Sequence, residues 1–418
     1  MRSIFLILLL LSAAISSAQS VTYYGDIAPI IQKNCITCHK PGGVGPFSLM
    51  TYEDVASKGK FVGHVTKIKY MPPWKADQTF QSFKNERILS PEEISLIQQW
   101  VSTGMEKGKK KKKKKKLKIN EETITQQPDL TLSMNRAFQI PDKSIEEFRF
   151  FSIPTNLTQE VYLSGIDFVP GNKKQVHHSR IMADSTQKMR GIDGLSELDP
   201  AIQNFQRIPL ADEFLYGWVP GNEGVKFPVG TGKKLNKGTD LILNVHYSPT
   251  SKSKEDISKI NLFFSKNPVE REVKTLNIRE NDISNQPFFI PAESKPTFYI
   301  SFRIEKDISL ISVLPHMHFL GESFRALAAT PEGDAIPLIK IDDWDFNWQS
   351  TYMYKKLLKI PAGSIILVEA AYNNTSSNPA NPNNPSKDTK YGWNSTDEMC
   401  NLIFYYVDYK EGDEQIEN

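Results

Sequence analysis

Residues 109–116 are eight consecutive lysines. Adjacent ammonium groups repel one another and resist burial, so no packed core can run through them. The run therefore divides the chain into a shorter amino-terminal part and a much longer carboxy-terminal part. Residues 107–128 read as a solvated, extended linker. A flexible stretch of that length spans about 25–30 Å, and more when charged. Adhesion to an anionic membrane or partner is the sharper alternative. The formal charge of the whole chain is +3, so without the lysines the remainder is net negative. That argues against a nucleic-acid-binding surface. At 418 residues, 39% hydrophobic and 24% charged, the chain has room for two or three domains with sizeable cores.

Residues 1–18 have the form of a signal peptide: Arg2, then an apolar run over 4–11, then Ser16-Ser17-Ala18 as small cleavage-site residues. The apolar run is too short to span a bilayer. The expectation is an exported protein, periplasmic or secreted, without stable membrane insertion.

Residues 19–106 read as a small all-α domain. Ile27, Ile30 and Ile31 have helical spacing. Ser90-Pro91-Glu92-Glu93 is a helix start, with Ser90 as N-cap, Pro91 in the first turn and Glu93 closing a capping box. Gly104 suits the far end. Between these helices lies Cys35-Ile36-Thr37-Cys38-His39, the attachment signature of c-type haem. In that reading Cys35 and Cys38 bond the haem covalently and His39 is an axial iron ligand. A thiol redox pair is the rival, but it expects a βαβ setting. Met71, in Tyr70-Met71-Pro72-Pro73-Trp74, is the candidate sixth ligand, because a thioether favours ferrous iron. A core methionine and His64 are the alternatives. Through the CITCH and MPPW strings this part resembles the small c-type cytochromes.

From 129 onward the pattern changes to short strands broken by Pro, Gly and Asn, among them 148–153, 161–169, 241–247, 261–264, 297–304, 307–313, 365–372 and 399–409. This is the signature of all-β sandwiches. The length suits two, jelly-roll-like, at 129–285 and 286–418.

The chain has seven histidines, and five fall in three places in this β region. His316 and His318, in Leu314-Pro315-His316-Met317-His318, share one face if the strand continues through them. His246 sits in an alternating strand with Leu241, Leu243 and Val245 on the core side. His177 and His178 are neighbours, so on a regular strand they point apart, and sharing an ion requires a bulge. These patterns suggest metal ligands. Zinc and copper are both open for three imidazoles; imidazole with a thioether suits copper. Met399, in Glu398-Met399-Cys400-Asn401, is the thioether candidate beside His316 and His318. A core methionine is the alternative.

The order HH, then N-V-H-Y, then H-x-H, then E-M-C-N resembles the copper type II, ascorbate-dependent monooxygenases, the family of the peptidylglycine α-hydroxylating and dopamine β-monooxygenases. The likeness covers roughly residues 130–412. It implies two consecutive β-sandwiches and two copper ions. His177, His178 and His246 would hold the copper that takes up electrons first. His316, His318 and Met399 would hold the copper that binds O2 and hydroxylates a C–H bond. Peptide-amidating members carry an arginine two residues before the H-x-H pair; Leu314 stands there in this chain. Animal members are also stitched by disulfides, and the three cysteines here leave none to pair once two bind haem. The reading that results is an exported monooxygenase with two copper ions and one covalently bound haem c. It acts on a small-molecule substrate with O2 and takes electrons from an ascorbate-like reductant or a redox protein. The alternatives are a haem and copper electron-transfer protein without oxygenase activity, and a zinc hydrolase.

Overall fold

The computed structural model describes residues 20–84, 86–109, 127–143, 146–205, 214–222, 224–392 and 394–418. The expected signal peptide and most of the linker lie outside these residues. Among the described residues no helix is long and apolar enough to cross a membrane. The protein is mostly β, with a few short helices near its amino terminus.

The helices Ala28–Asn34, Tyr52–Ser57, Gly59–Lys67 and Pro91–Ser102 surround a small core of Ile27, Ile31, Val62, Ile97 and Trp100. Ser90 and Glu93 form the expected capping box. Its side-chain and backbone bonds satisfy two amide donors that the first turn leaves free. Gly104 follows this helix at φ +94°, in the left-handed region.

Two pairs of sheets follow. In the first pair, a six-stranded sheet contains Leu130–Ser133, Val161–Val169, Thr231–Leu235 and Lys259–Phe264. A five-stranded sheet faces it, with Asp240–Tyr247 between Glu147–Pro154 and Val176–Asp184. Leu241, Leu243, Val245 and Tyr247 enter the core between these sheets. Side chains alternate along a strand, so Ile242, Asn244 and His246 occupy the opposite face.

The second pair has Ile308–His316 and Asn401–Asp408 at the centre of one sheet, and Gly321–Ala329 and Ile365–Tyr372 at the centre of the other. Lys274–Ile278 pairs with Asn401–Asp408, so residues 274–285 belong with these later sheets. The transition therefore falls ahead of the boundary expected at 286. The reason is pairing at long range, which local turn residues do not report.

The two pairs of sheets share apolar packing. Ile311, Leu314, Leu357, Ile403 and Tyr405 belong to the core that also contains Leu243 and Ile181. Ile308–His316 is consequently buried along almost its whole length. A broad apolar junction of this kind opposes the relative motion that is usual between domains.

The helical part is also docked, which a tether alone does not require. Trp74 packs edge-on against Tyr352 at 5.1 Å. Phe83 is buried in the later core and forms a β-bridge with Tyr354. Gln81 donates to the Pro337 carbonyl at 2.7 Å, and Arg87 donates to Asn222 Oδ1 at 2.9 Å.

Candidate metal centres and cofactor cavity

His246 pairs across the sheet with His178, while the next residue, Tyr247, pairs with Val176. His177 is therefore the extra residue of a β-bulge. A bulge re-aims side chains that would otherwise alternate, and here it brings neighbouring imidazoles together. His246 Nδ1 lies 3.2 Å from His177 Nδ1 and 3.2 Å from His178 Nδ1. Ligand atoms of all three residues fall within 4.8 Å of one another.

These nitrogens fit a metal ion better than one another. A neutral imidazole carries one N–H, so His246 Nδ1 cannot donate to both neighbours. Two nitrogens bound tetrahedrally at about 2.0–2.1 Å lie about 3.3 Å apart, close to the spacing seen. Phe148 stacks flat on the buried His246 ring at 4.0 Å. Burial, then the nearby His246, pushes His177 down to about 4 and His178 well below its ordinary range. Both rings are thus neutral at pH 7, as metal ligation requires.

The second set is built differently. The strand ends at His316, and His318 lies in the irregular segment beyond it. The expected i,i+2 positions on one strand face are therefore not what aligns these rings. Hydrogen bonds from other segments do so instead, leaving the rings 5.1 Å apart at 82°. His318 Nδ1 donates to the Asp397 carbonyl at 3.0 Å. Trp344 Nε1 donates to the His318 carbonyl at 3.1 Å. Glu398 is fully buried, and its carboxylate accepts from the backbone N–H of His318, Leu320 and Met399 at 2.8, 2.6 and 3.1 Å. His316 Nδ1 is bonded to Gln349 Oε1. Its Nε2 is buried without a partner, an orphaned acceptor whose lone pair a metal can take. Burial holds His318 at about 4 and His316 well below its usual range.

Met399 directly follows Glu398, and Asn401 pairs with His316 on the adjoining strand. Its side chain is buried in a small cluster with Met182, Ile242 and Phe150. Leu314 is buried in the shared core.

Phe346 lies between the two histidine sets. Its ring centroid is 5.5 Å from His178, 6.2 Å from His246 and 5.7 Å from His318. Phe346, Gln349, Trp344 and Glu398 were not singled out as site residues by sequence reasoning. The available signal was the aromatic string Trp344-Asp345-Phe346-Asn347-Trp348-Gln349, which otherwise reads as ordinary core and turn.

Cys35, Cys38, His39 and Met71 line a cavity of about 760 Å³. His39 Nδ1 faces the Phe47 carbonyl at 3.0 Å; a donated N–H there leaves Nε2 available as a ligand. Burial pushes Cys35 up to about 12 and also raises Cys38, the reverse of a reactive redox thiol. His64 is exposed on its helix and does not line the cavity. Trp348, Met353, Tyr216 and Gly221 bring walls from both pairs of sheets. Gly221 has φ +86°, and a Cβ there would stand 2.6 Å from Cys38 Sγ. Two thiols, an imidazole and a thioether around one partly open cavity are the residue types that a covalently attached haem would use.

Two histidine sets on adjoining pairs of sheets, one a cluster of three and the other with an orphaned nitrogen, define a candidate two-metal protein. Comparison with known proteins sharpens this. Residues 297–416 match the sequence model of the copper type II ascorbate-dependent monooxygenase C-terminal domain, a family for which copper is expected. The chain is 24% identical over 310 residues to the Homo sapiens protein provisionally named DBH-like monooxygenase protein 2. That alignment covers 69% of this chain and 58% of the human protein. Among solved structures, a provisionally assigned alpha-L-fucosidase from Bacteroides ovatus shares 8% identity at a TM-score of 0.18, covering 77% of this chain and 43% of that one. The infectious bursal disease virus VP2 subviral particle shares 8% at 0.19, covering 68% and 72%. Similarity at that level carries no argument about fold or activity.

Proposed function

We propose that this chain is a copper-dependent monooxygenase that hydroxylates a C–H bond of a small organic substrate with O2, with electrons supplied through a c-type haem on the same chain. The observation that carries the reading is the convergence of three imidazole nitrogens opposite a second histidine pair, the latter inside the region matching the family.

His177, His178 and His246 would hold one copper through Nδ1. His316 and His318 would hold the other through Nε2, with Met399 as the thioether donor that the resemblance assigns. Bound copper supplies one-electron chemistry and the activation of O2. Burial disfavours the charged form of His177, His178, His316 and His318, which favours metal binding by these rings. Asp397 and Gln349 orient His318 and His316 through their Nδ1 atoms. The Phe346 ring occupies part of the space between the two sets. Cys35 and Cys38 would join haem c covalently, with His39 and Met71 as axial ligands.

In this reading residues 19–106 form the haem domain and 107–128 its linker, and two copper-binding sandwiches follow. Residues 1–18 direct export to the periplasm or beyond. An ascorbate-like reductant or a redox protein is the external donor. Leu314, in place of the arginine of peptide-amidating enzymes, disfavours a peptide C-terminus as substrate.

The test uses protein made in cells competent in haem attachment. It should stain for haem after denaturing electrophoresis and contain two coppers per chain. O2 uptake should require copper, a reductant and a substrate drawn from small amines, phenols and hydrophobic acids. Haem and copper without any substrate-dependent O2 uptake would leave an electron-transfer protein instead.

A further inference from the structure

Arg180 stands on the strand that carries His177 and His178. It pairs across the sheet with Asn244, as His178 does with His246. Side chains alternate along a strand, so Arg180 and Asn244 share the face of the histidines, away from the core that takes Ile181 and Leu243. Met182 and Ile242 come next on that face, in the cluster that contains Met399. The guanidinium therefore lies between the three-histidine set and the methionine assigned to the second set. After burial and the neighbouring histidines, its charge further lowers His178 and His316; after burial it also lowers His318. Both sets are thus within its electrostatic reach. Asn244 is buried, and its Oδ1 accepts from Arg180 Nε at 3.3 Å and from Nη2 at 3.1 Å. An amide oxygen orients the group without neutralising it. A guanidinium has five N–H donors, and Nη1 meets no acceptor among the described residues. Glu197 and Tyr391 are the acidic groups that act on Arg180. Burial pushes the Glu197 carboxyl up to about 8 against the pull of Arg180, so most of it is uncharged at pH 7. What remains is a permanent positive charge, only partly buried, with one edge of its fork unused.

We propose that Arg180 binds the carboxylate of the substrate through Nη1 and the second hydrogen of Nη2, and so restricts this site to small organic acids with an apolar stem. This rests on the functional reading above and names the class of compound within it. Two parallel N–H bonds match the two oxygens of a planar carboxylate. Met182, Ile242 and Met399 offer the stem an apolar wall. An amine is disfavoured because its ammonium meets a like charge. A neutral amide forfeits the charge-assisted bonds. Leu314, on the second pair of sheets, is buried in the shared core, so the guanidinium here is supplied from the first pair instead.

The experiment uses the full-length protein, copper-free and copper-loaded, and titration calorimetry with hexanoate, hexanamide and hexylamine. These probes share one stem and differ in the head group. Hexanoate should bind in both copper states, at least about tenfold tighter than the amide or the amine. Arg180→Met should weaken hexanoate about 10–100-fold, the worth of a hydrogen bond to a charged group, and leave the amide unchanged. Arg180→Lys, which keeps the charge and loses the fork, should fall between the two. Thermal unfolding and copper content check that each variant is intact. Equal binding of the three probes by the wild-type protein overturns the assignment, and that comparison decides even if Arg180→Met fails to fold. Hexanoate affinity that survives Arg180→Met in an intact protein overturns it too. So does binding that appears only with copper and shifts the cupric electron paramagnetic resonance signal, because the carboxylate is then a metal ligand. Failure of the functional reading looks different: hexanoate binds through Arg180, yet no small acid drives O2 uptake by the copper-loaded protein. The anion site then stands and the oxygenase reading falls.

Discussion

The two histidine sets reach comparable geometry by opposite means. His177, His178 and His246 are placed by the register of two paired strands and one bulge. Backbone hydrogen bonds set their positions, and Glu146 Oε2, 3.1 Å from His246 Nε2, adds a polar contact from outside the two strands. His316 and His318 straddle the end of a strand. Their orientation depends on Gln349, Asp397, Glu398 and Trp344, brought in from two other segments. A sheet-built site should be stiff and fail only when a ligand is removed. A site held by contributed side chains should be sensitive to residues that never touch the metal.

The largest expected effect is on the sheet-built set. His246→Ala removes the ligand whose nitrogen faces both others, and metal analysis after dialysis should find one copper per chain instead of two. Two retained coppers would show that this triad is not a binding site. Next comes Glu398→Ala, which strips the acceptor from three backbone N–H groups in a buried place. With unsatisfied buried donors costing about 1–3 kcal/mol each, chemical denaturation should reveal a loss of about 3–5 kcal/mol. A loss under about 1 kcal/mol would mean that the loop carrying His318 is held by something else.

A smaller effect should follow from Gln349→Leu. Competition titration should show copper at the His316 and His318 site weakened about 10–100-fold, the usual cost of losing an orienting partner. The three-histidine site should be untouched; weakening of both alike would erase the contrast. The least effect should come from Phe148→Leu. It removes the ring stacked on His246 at a cost of about 1–2 kcal/mol in thermal unfolding. Copper affinity at the triad should barely move, because strand register rather than the stacked ring places the ligands.

How much of this could be read beforehand divides along the same line. The strand around His246 alternated cleanly, and Val161–Val169 and Ile365–Tyr372 have the bounds that their local pattern suggests. The demand for a bulge at His177-His178 was visible because adjacent side chains on a strand diverge. The capping box at Ser90 was equally local. Whether the strand continues through His318 was left open, because nothing in Pro315-His316-Met317-His318 marks where pairing stops; it ends at His316. Phe346 and Gln349 resemble routine core and turn residues until the fold brings them to the histidines. Lys274–Ile278 carries no local mark of which sheet it joins. The docking of Trp74 and Phe83 likewise depends on partners about 270 residues away, where a local periodicity has no reach. A charged linker suggested independence between parts that in fact pack together.

The close approach of Gly221 to Cys38 has a consequence in time. The Cys38 sulfur lies against a glycine from a distant part of the chain, with Arg87 clamping the same loop at Asn222. On the proposed reading, a catalyst that joins haem to these cysteines would have to reach both sulfurs, and in the closed protein the loop stands beside one of them. Attachment would then precede closure, with the amino-terminal part matured before the sheets arrive. The order of events during synthesis would matter as much as the final contacts.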